Sequence, residues 1–248
     1  MNIALLPGFA EAFMLAFARV GAMTMLLPGI GERAIPMRQR LIVALGLTLM
    51  VLPMLREANA TAPILPRLIS EVLAGLAFGL AGRLTMAALD VAGTLIAQSV
   101  GLSFAQVMDP ANGQQGEAIS TFLRMFGVCL IFAADLHHMA IGGIFASYEA
   151  IPVGQGIAAG DMAMLALRLV RQLFEAGVLI AAPFIAFSFI FNAGLGIAAR
   201  LTPQLQLFYL SMPAAILLGL TAFSASTGAM GTTFLTLMRA ALALPFGG

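Results

Sequence analysis

Two adjacent histidines, His137 and His138, closely follow Asp135 and form the cluster of side chains with the clearest metal-binding chemistry. Imidazole and carboxylate groups are common zinc ligands. Adjacent positions on a helix point about 100° apart, so both rings are not expected to bind one ion, and Cys129 is not placed to complete a site. We therefore expect no metal and no cofactor. Packing of the histidines, or a hydrogen bond to Asp135 or a neighbouring subunit, is the favoured interpretation.

Motifs of enzymes are absent from the sequence. It contains no HExxH pattern for zinc, no GxSxG pattern for a serine nucleophile and no Walker-type phosphate loop. The one cysteine, Cys129, lies within the apolar run Val128–Ala134, which predicts a buried and unreactive thiol. We expect a protein that is not an enzyme and has no catalytic residues.

Two groups of ionisable residues lie within apolar sequence instead. Arg83 and Asp90 are seven residues apart, which is close to two helical turns. A second set shares an arc of about 100° on the next predicted helix: Glu117, Thr121, Arg124, Asp135 and His138. Charges in such sequence normally face a bundle interior, a partner or a water-filled path. Contact with a partner or a pore, and neutralisation within the bundle, both stay open for Arg83 and Asp90.

The composition is that of a membrane protein. Of 248 residues, 61% are hydrophobic and 9% are charged, with a mean hydropathy of +1.01. Soluble domains have about 25% charged residues, so this chain cannot cover a water-facing surface. The net charge of +1 gives no reason to expect nucleic acid. We predict an all-α protein of about six to eight long, broken helices arranged as membrane-associated hairpins, forming one domain over residues 1–248.

A nearly uncharged stretch runs from Ala176 to Met238, where Arg200 is the one charged residue in 63 positions. A charge near the bilayer centre costs about 2.5–3.5 kcal/mol, so membrane segments exclude charged residues. Residues Ala176–Ala199 alone are long enough to cross a hydrocarbon core of about 30 Å as a helix. This stretch must lie in lipid or against apolar protein.

Breaks in the hydrophobic pattern predict the order of the helices. In the N-terminal half we expect a first helix over Phe9–Leu27, a basic loop at Glu32–Arg40, a second apolar run over Leu41–Leu55, a loop at Arg56–Arg67 and a long helix over Leu68–Val107. A further helix should extend over Glu117–Tyr148 and break at Gly142-Gly143. After it we expect a helix N-cap at Asp161 and helix interruptions at Arg200–Pro203, at Pro213 and over Ser224–Gly231. The basic loop should be cytoplasmic by the positive-inside rule.

Small residues form a stripe along the long helix. Gly75, Gly79, Gly82 and Gly93 share one narrow face with Met86. Glycines repeated on one face let a neighbouring backbone approach closely, as is common between membrane helices. We predict helix packing at this stripe.

The segment between the two polar helices, Gly101–Gly116, combines turn residues with apolar flanks. Nonhelical backbone at membrane depth is tolerated only where it is buried in protein or lines an aqueous cavity. A loop that closes a channel has these traits, and a plain turn between helices explains them equally well. The candidate loop residues are Ser103, Phe104, Val107, Met108, Asp109, Pro110, Asn112 and Gly113.

Three blocks of the sequence stand in a recognisable order. The central block is GLSFAQVMDP with the following ISTFLRMFGVCLIFAADLHHMAIGGIFASYEAIPVG. The second block is NAGLGIAARLTPQLQLFYLSMP, and the third is the start, FARVGAMTMLLPGIGERAIPMRQRLIVALGL. Together they resemble the family of the flagellar biosynthesis protein FliR, whose counterparts in virulence secretion are the export-apparatus T subunits. The likeness extends over nearly the whole chain.

The resemblance implies a structural subunit of the type III export gate. In that family such subunits join FliP-like and FliQ-like subunits around a protein-conducting pore, with an FlhB-like protein bound, and unfolded export substrates pass through it. It implies a plug at about Ser103–Gly116, a structural role for Arg200 at a helix-hairpin corner, and a place in the bacterial inner membrane at the flagellar basal body, protruding to the periplasmic side. The family often has Gly beside its late histidine, whereas Leu136 precedes His137 here.

An ion-coupled secondary transporter is the rival hypothesis. Asp90, Asp135 and His138 would then couple an ion to transport, as intramembrane charges on broken helices do in that class. The dispersed charges and the lack of an evident duplicated half weigh against it. An intramembrane enzyme and a plain membrane scaffold are the remaining alternatives.

Overall fold

The computed structural model describes residues 6–32, 35–55, 63–102, 117–155, 159–201 and 207–243. Within these ranges the secondary structure is helical and contains no β-strand. The predicted all-α class is therefore confirmed. The helices are α1 (Leu6–Leu26), α2 (Met37–Val51) with a 3₁₀ turn at Leu52–Met54, α3 (Ile64–Val100), α4 (Glu117–Ala133), α5 (Leu136–Ala150), α6 (Ala159–Leu201) and α7 (Leu207–Ala243).

Several helices are suited to cross a membrane. Five helices of the described residues are long and apolar enough to do so, and α4 together with α5 is a sixth candidate if this bent pair forms one span. The seven α-helices of the described residues agree with the predicted six to eight. Chain length and hydrophobic pattern thus predicted the number of helices.

The chain divides into two compact units. One contains Met1–Thr85, Ile131–Arg171 and Met238–Gly248; the other contains Met86–Leu130 and Gln172–Leu237. Every boundary lies inside a helix, so α3, α4, α6 and α7 each contribute to both units.

In the first unit, α1 packs against the glycine-bearing part of α3. A Cβ atom on Gly75 would collide with the backbone oxygen of Arg19 and lie 2.8 Å from the Cβ of Ala22. One on Gly79 would lie 2.7 Å from the Cβ of Leu26, and one on Gly82 would lie 2.8 Å from Cδ of Pro28. Helix α1 and the turn after it therefore lie so close to α3 that only glycine fits at these three positions.

In the second unit, small residues again set the distance between helices. A Cβ atom on Gly93 of α3 would lie 2.5 Å from Cα of Ser120 on α4. One on Gly177 of α6 would lie 2.8 Å from Cγ1 of Val91. The buried aromatic rings of Phe184 and Phe234 fill the interior of this unit.

Three predictions near helix N-termini were wrong: two predicted loops extend less far than expected, and one predicted N-cap lies inside its helix. Pro66 and Arg67 lie in the first turn of α3, where proline costs no intrahelical hydrogen bond. Arg38 and Arg40 lie in the first turn of α2 rather than in a loop. Asp161 is an acidic residue of the first turn of α6 rather than its N-cap, and its charge still complements the helix dipole.

The predicted break at Gly142-Gly143 was also wrong. Both glycines lie within α5, and the break falls at Ala134-Asp135, where α4 and α5 are bent by 74°. Asp135 has φ 56 and ψ 20, a left-handed conformation that is uncommon outside glycine but enriched in Asp. Close packing explains Gly143, since a Cβ there would collide with the ring of Phe78.

Helix α7 is continuous where an interruption was expected. Pro213 lies inside it, and residues Ser224–Gly231 are helical throughout. Pro183 lies inside α6 in the same way. Membrane helices tolerate such residues because neighbouring groups and small local adjustments satisfy the freed backbone.

Cys129 lies exposed on α4, so the prediction of a buried thiol was wrong. In a soluble protein, an apolar run such as the one around Cys129 indicates the interior. In a membrane protein, apolar residues also cover the outer surface, and an apolar environment therefore does not distinguish inside from outside.

Candidate functional site

In the first unit, a fully buried ion pair connects α1 and α3. Arg19 and Glu71 are both 0% exposed. Nε of Arg19 donates to Oε2 of Glu71 at 2.6 Å, and Nη2 donates to Oε1 at 3.1 Å. The fork of the guanidinium thus meets both carboxylate oxygens, the geometry in which arginine outperforms lysine.

Further contacts satisfy the remaining polar atoms of this pair. Nη1 of Arg19 donates to the backbone oxygens of Ser147 at 3.0 Å and Ile151 at 2.7 Å, at the end of α5. The guanidinium carbon lies 4.3 Å from the ring centre of Tyr148, within cation–π range. The backbone N–H of Gly154 donates to Oε1 of Glu71 at 2.8 Å. We call Arg19, Glu71, Tyr148 and these backbone groups the buried ionic cluster; it connects α1, α3, α5 and the segment after α5.

A second ion pair joins the same helices. Nη1 of Arg67, on α3, contacts Oε1 of Glu11, on α1. The segment after α5 closes over it at Gly154, where a Cβ would lie 2.9 Å from Nε of Arg67. Gly154 has φ +79, so this position needs glycine both for its conformation and for its contact.

Sequence analysis did not identify these pairs. A signal was present: Arg19 is the sole charge between Glu11 and Glu32 in an apolar helix, which requires a buried partner. The identity of that partner, 52 residues away, depends on tertiary packing.

In the second unit, the predicted polar residues Asp90 and Arg124 form an ion pair between α3 and α4. Nε and Nη2 of Arg124 donate to Oδ1 of Asp90 at 3.0 and 2.7 Å. The side chains are 37% and 49% exposed. Helix α4 also exposes two large apolar side chains, Phe122 and Met125, on other faces. Asp90 is thus neutralised by Arg124 rather than by Arg83.

Three further predicted polar residues, Arg83, Thr121 and Arg200, lie on three different helices, α3, α4 and α6. Arg83 is half-buried on α3, and the ion pairs found within the described part of the chain do not include it. Glu117 is the first residue of α4, and Thr121 is exposed one turn later. Arg200 is exposed in the last turn of α6. Because the chain bends at Asp135, the predicted polar line does not continue from α4 into α5.

The histidines lie closer together than expected. The ring centres of His137 and His138 are 4.0 Å apart, and Nδ1 of His138 lies 3.5 Å from Oδ1 of Asp135. The argument that adjacent rings must diverge was therefore wrong for this pair. The 100° rotation fixes the directions of the Cα–Cβ bonds, and side-chain rotation then brings the rings together.

The candidate plug lies outside the described residues. This applies to all eight members: Ser103, Phe104, Val107, Met108, Asp109, Pro110, Asn112 and Gly113. The described chain reaches Leu102, two residues after the end of α3, and resumes at Glu117, where α4 begins. The plug stays a prediction.

Large apolar side chains are exposed along α6. They recur at the spacing of helical turns, and the most exposed are Met164, Leu167, Phe189, Ile190, Ile197 and Leu201, at 65–78%. In the apolar windows of the membrane-span candidates, 28% of residues are buried in α6 and 17% in α7, against 56% in α3. Helices α6 and α7 thus leave most of their apolar surface for lipid or for other protein.

These features define the class: a helical membrane protein that combines buried ion pairs with exposed apolar helix faces. Comparison with known proteins identifies the family. The model of the family described as "Bacterial export proteins, family 1" matches residues 10–241. The chain belongs to this family.

Relatives agree with this result. The chain is 41% identical over 230 residues to the flagellar biosynthetic protein FliR of Caulobacter vibrioides, covering 88% of this chain and 91% of the relative. It is 30% identical to the FliR protein of Bacillus subtilis, covering 82% and 80%, and 29% identical to that of Escherichia coli K12, covering 84% and 80%. The resemblance drawn from the three sequence blocks is confirmed.

Proposed function

We propose that this chain is a structural and gating subunit of the flagellar type III protein export gate. It forms part of the protein-conducting pore with FliP-like and FliQ-like subunits and contacts an FlhB-like protein. It acts without enzymatic chemistry and conducts unfolded export substrates. Its place is the bacterial inner membrane at the flagellar basal body, with the assembly protruding to the periplasmic side.

One observation carries most of this proposal: an ion pair between two long apolar helices stays half-exposed. Asp90 and Arg124 keep 37% and 49% of their side chains exposed, and α4 also exposes Phe122 and Met125. Ionic groups facing lipid are costly, so such groups normally contact protein or water. A partner subunit or a pore meets this need, and membership of an export family makes both available.

Two further residues have roles within the same proposal. Arg200, exposed at the end of α6, contacts backbone oxygens or carboxylates of a neighbouring subunit. Residues 103–116 plug the closed pore and move aside during export. Export is driven from elsewhere, because the sequence has no nucleotide-binding motif.

Co-purification tests the proposal and the role of the ion pair together. The tagged chain, produced with its flagellar partners, is expected to bring down two small hydrophobic subunits. Asp90→Arg is expected to lower their recovery about tenfold, the effect of roughly 1.4 kcal/mol of charge repulsion. The matched double variant, Asp90→Arg with Arg124→Asp, restores the pair and should restore recovery.

Other outcomes reject parts of the proposal. A wild-type chain that purifies alone and transports a small solute favours the ion-coupled transporter. Partner recovery that Asp90→Arg leaves unchanged removes the ion pair from the interface.

A further inference from the structure

We infer that Asp135, His137 and His138 form a binding site for a divalent transition-metal ion of the zinc type. Each residue offers one ligand atom, and these three atoms lie within 4.8 Å of one another. This inference goes beyond the export function and does not depend on it. The site is built where α4 ends and α5 begins.

The three ligand atoms need to move only slightly closer together to bind one zinc ion. Ligands at about 2.0–2.2 Å from a tetrahedral zinc ion lie about 3.3–3.5 Å apart. Oδ1 of Asp135 and Nδ1 of His138 are already 3.5 Å apart. Their side chains are 77% and 72% exposed, so both are free to rotate toward a shared ion. Three protein ligands leave a fourth position for water or for a group from another subunit.

A second observation concerns His137. Its Nδ1 atom is buried and has no hydrogen-bond partner among the described residues. A buried polar atom without a partner is costly and therefore uncommon. The centre of the His137 ring lies 5.1 Å from the centre of the Phe132 ring, and the His138 ring packs on it as well. These contacts limit the rotation of the His137 ring. A metal ion bound at Nδ1 would satisfy this atom.

The donor set selects the class of metal. Two imidazoles with one carboxylate suit zinc, nickel or copper, whereas magnesium and calcium prefer oxygen ligands. The N-terminus of α5 carries positive partial charge that opposes a cation. The carboxylate of Asp135 offsets this charge directly at the site.

The position of the site suggests a local structural effect. Asp135 holds the left-handed conformation at the bend, with φ 56, and the two histidines lie in the first turn of α5. An ion bound by all three residues would fix the side chain of Asp135 to this turn. The ion thus stabilises the start of α5.

Zinc titration tests the site. The full-length chain, purified in detergent with the subunits that accompany it and stripped by chelator, is titrated with Zn²⁺ by calorimetry. A Cys129→Ser background removes the exposed thiol as a competing ligand. We expect one stoichiometric site, with the parallel Co²⁺ complex giving the absorption of tetrahedral cobalt.

Matched variants assign the ligands. Asp135→Asn removes the charge while tolerating the left-handed backbone, and His138→Gln changes an exposed side chain. Each is expected to weaken Zn²⁺ binding by more than about tenfold, since losing even a hydrogen-bond partner of a zinc ligand costs 10–100-fold. Glu149→Gln, an exposed carboxylate of the same helix, should change nothing. Absence of stoichiometric binding, or equal binding by the double variant Asp135→Asn with His138→Gln, overturns the inference.

Discussion

Arg19→Ala is expected to prevent the chain from accumulating in a folded form. The substitution leaves Glu71 at 0% exposure without its cation and removes two hydrogen bonds to the end of α5. Breaking a buried ion pair at one side costs about 3–5 kcal/mol, against a total stability of about 5–15 kcal/mol for typical proteins. The measurement is the protease-resistant fraction of the chain in detergent and its thermal midpoint.

Three further variants separate the ion pair from general effects of mutation. Arg19→Lys should be intermediate, because a single ammonium group cannot reproduce the forked contact. The apolar pair Arg19→Met with Glu71→Leu should recover much of the stability, since no charge is left buried alone. Arg168→Ala, at an exposed position of α6, should match the wild type. A single Arg19→Ala chain as stable as the wild type would show that the buried ionic cluster is dispensable.

Deletion of Asp109–Gly116 is expected to make the membrane leak ions when the chain is produced with its partners. If residues 103–116 close the pore, shortening them leaves an aqueous path through the assembly. The measurement is ion conductance of vesicles that contain the purified complex, compared with the intact complex. We expect conductance several-fold above the closed state.

The control for this deletion is the same shortened chain produced without partners, which should leave conductance at background because no pore is assembled. Recovery of the complex must be equal for the intact and shortened chains. If the complex forms normally and conductance is unchanged, the segment is a plain connection between α3 and α4 rather than a plug.

Sequence patterns located most helices because hydrophobic runs depend on local composition. The nearly uncharged stretch from Ala176 to Met238 corresponds to most of α6 and α7, and α1 ends one residue before its predicted end at Leu27. Errors occurred where backbone breaks depend on tertiary packing. Gly142-Gly143 predicted a break, but Gly143 instead lets Phe78 approach, and the chain bends at Asp135.

The sites were less predictable than the helices. Asp90 and Arg124 were singled out because each is a charge in apolar sequence, but their pairing across 34 positions required the structure. Arg19 and Glu71 were missed for the same reason. The apolar neighbours of Cys129 did not predict its exposure, because membrane proteins have apolar side chains both in the interior and on the outer surface.

Photo-crosslinking from α6 tests most directly whether other subunits cover its exposed apolar face. A photoreactive phenylalanine analogue replaces Phe189, which is 77% exposed, or its matched control Phe184 on the same helix, which is 1% exposed. In cells that produce the whole export apparatus, the analogue at position 189 is predicted to form adducts with a second, different polypeptide, and the analogue at position 184 is not. Adducts at position 189 with lipid alone would contradict the account.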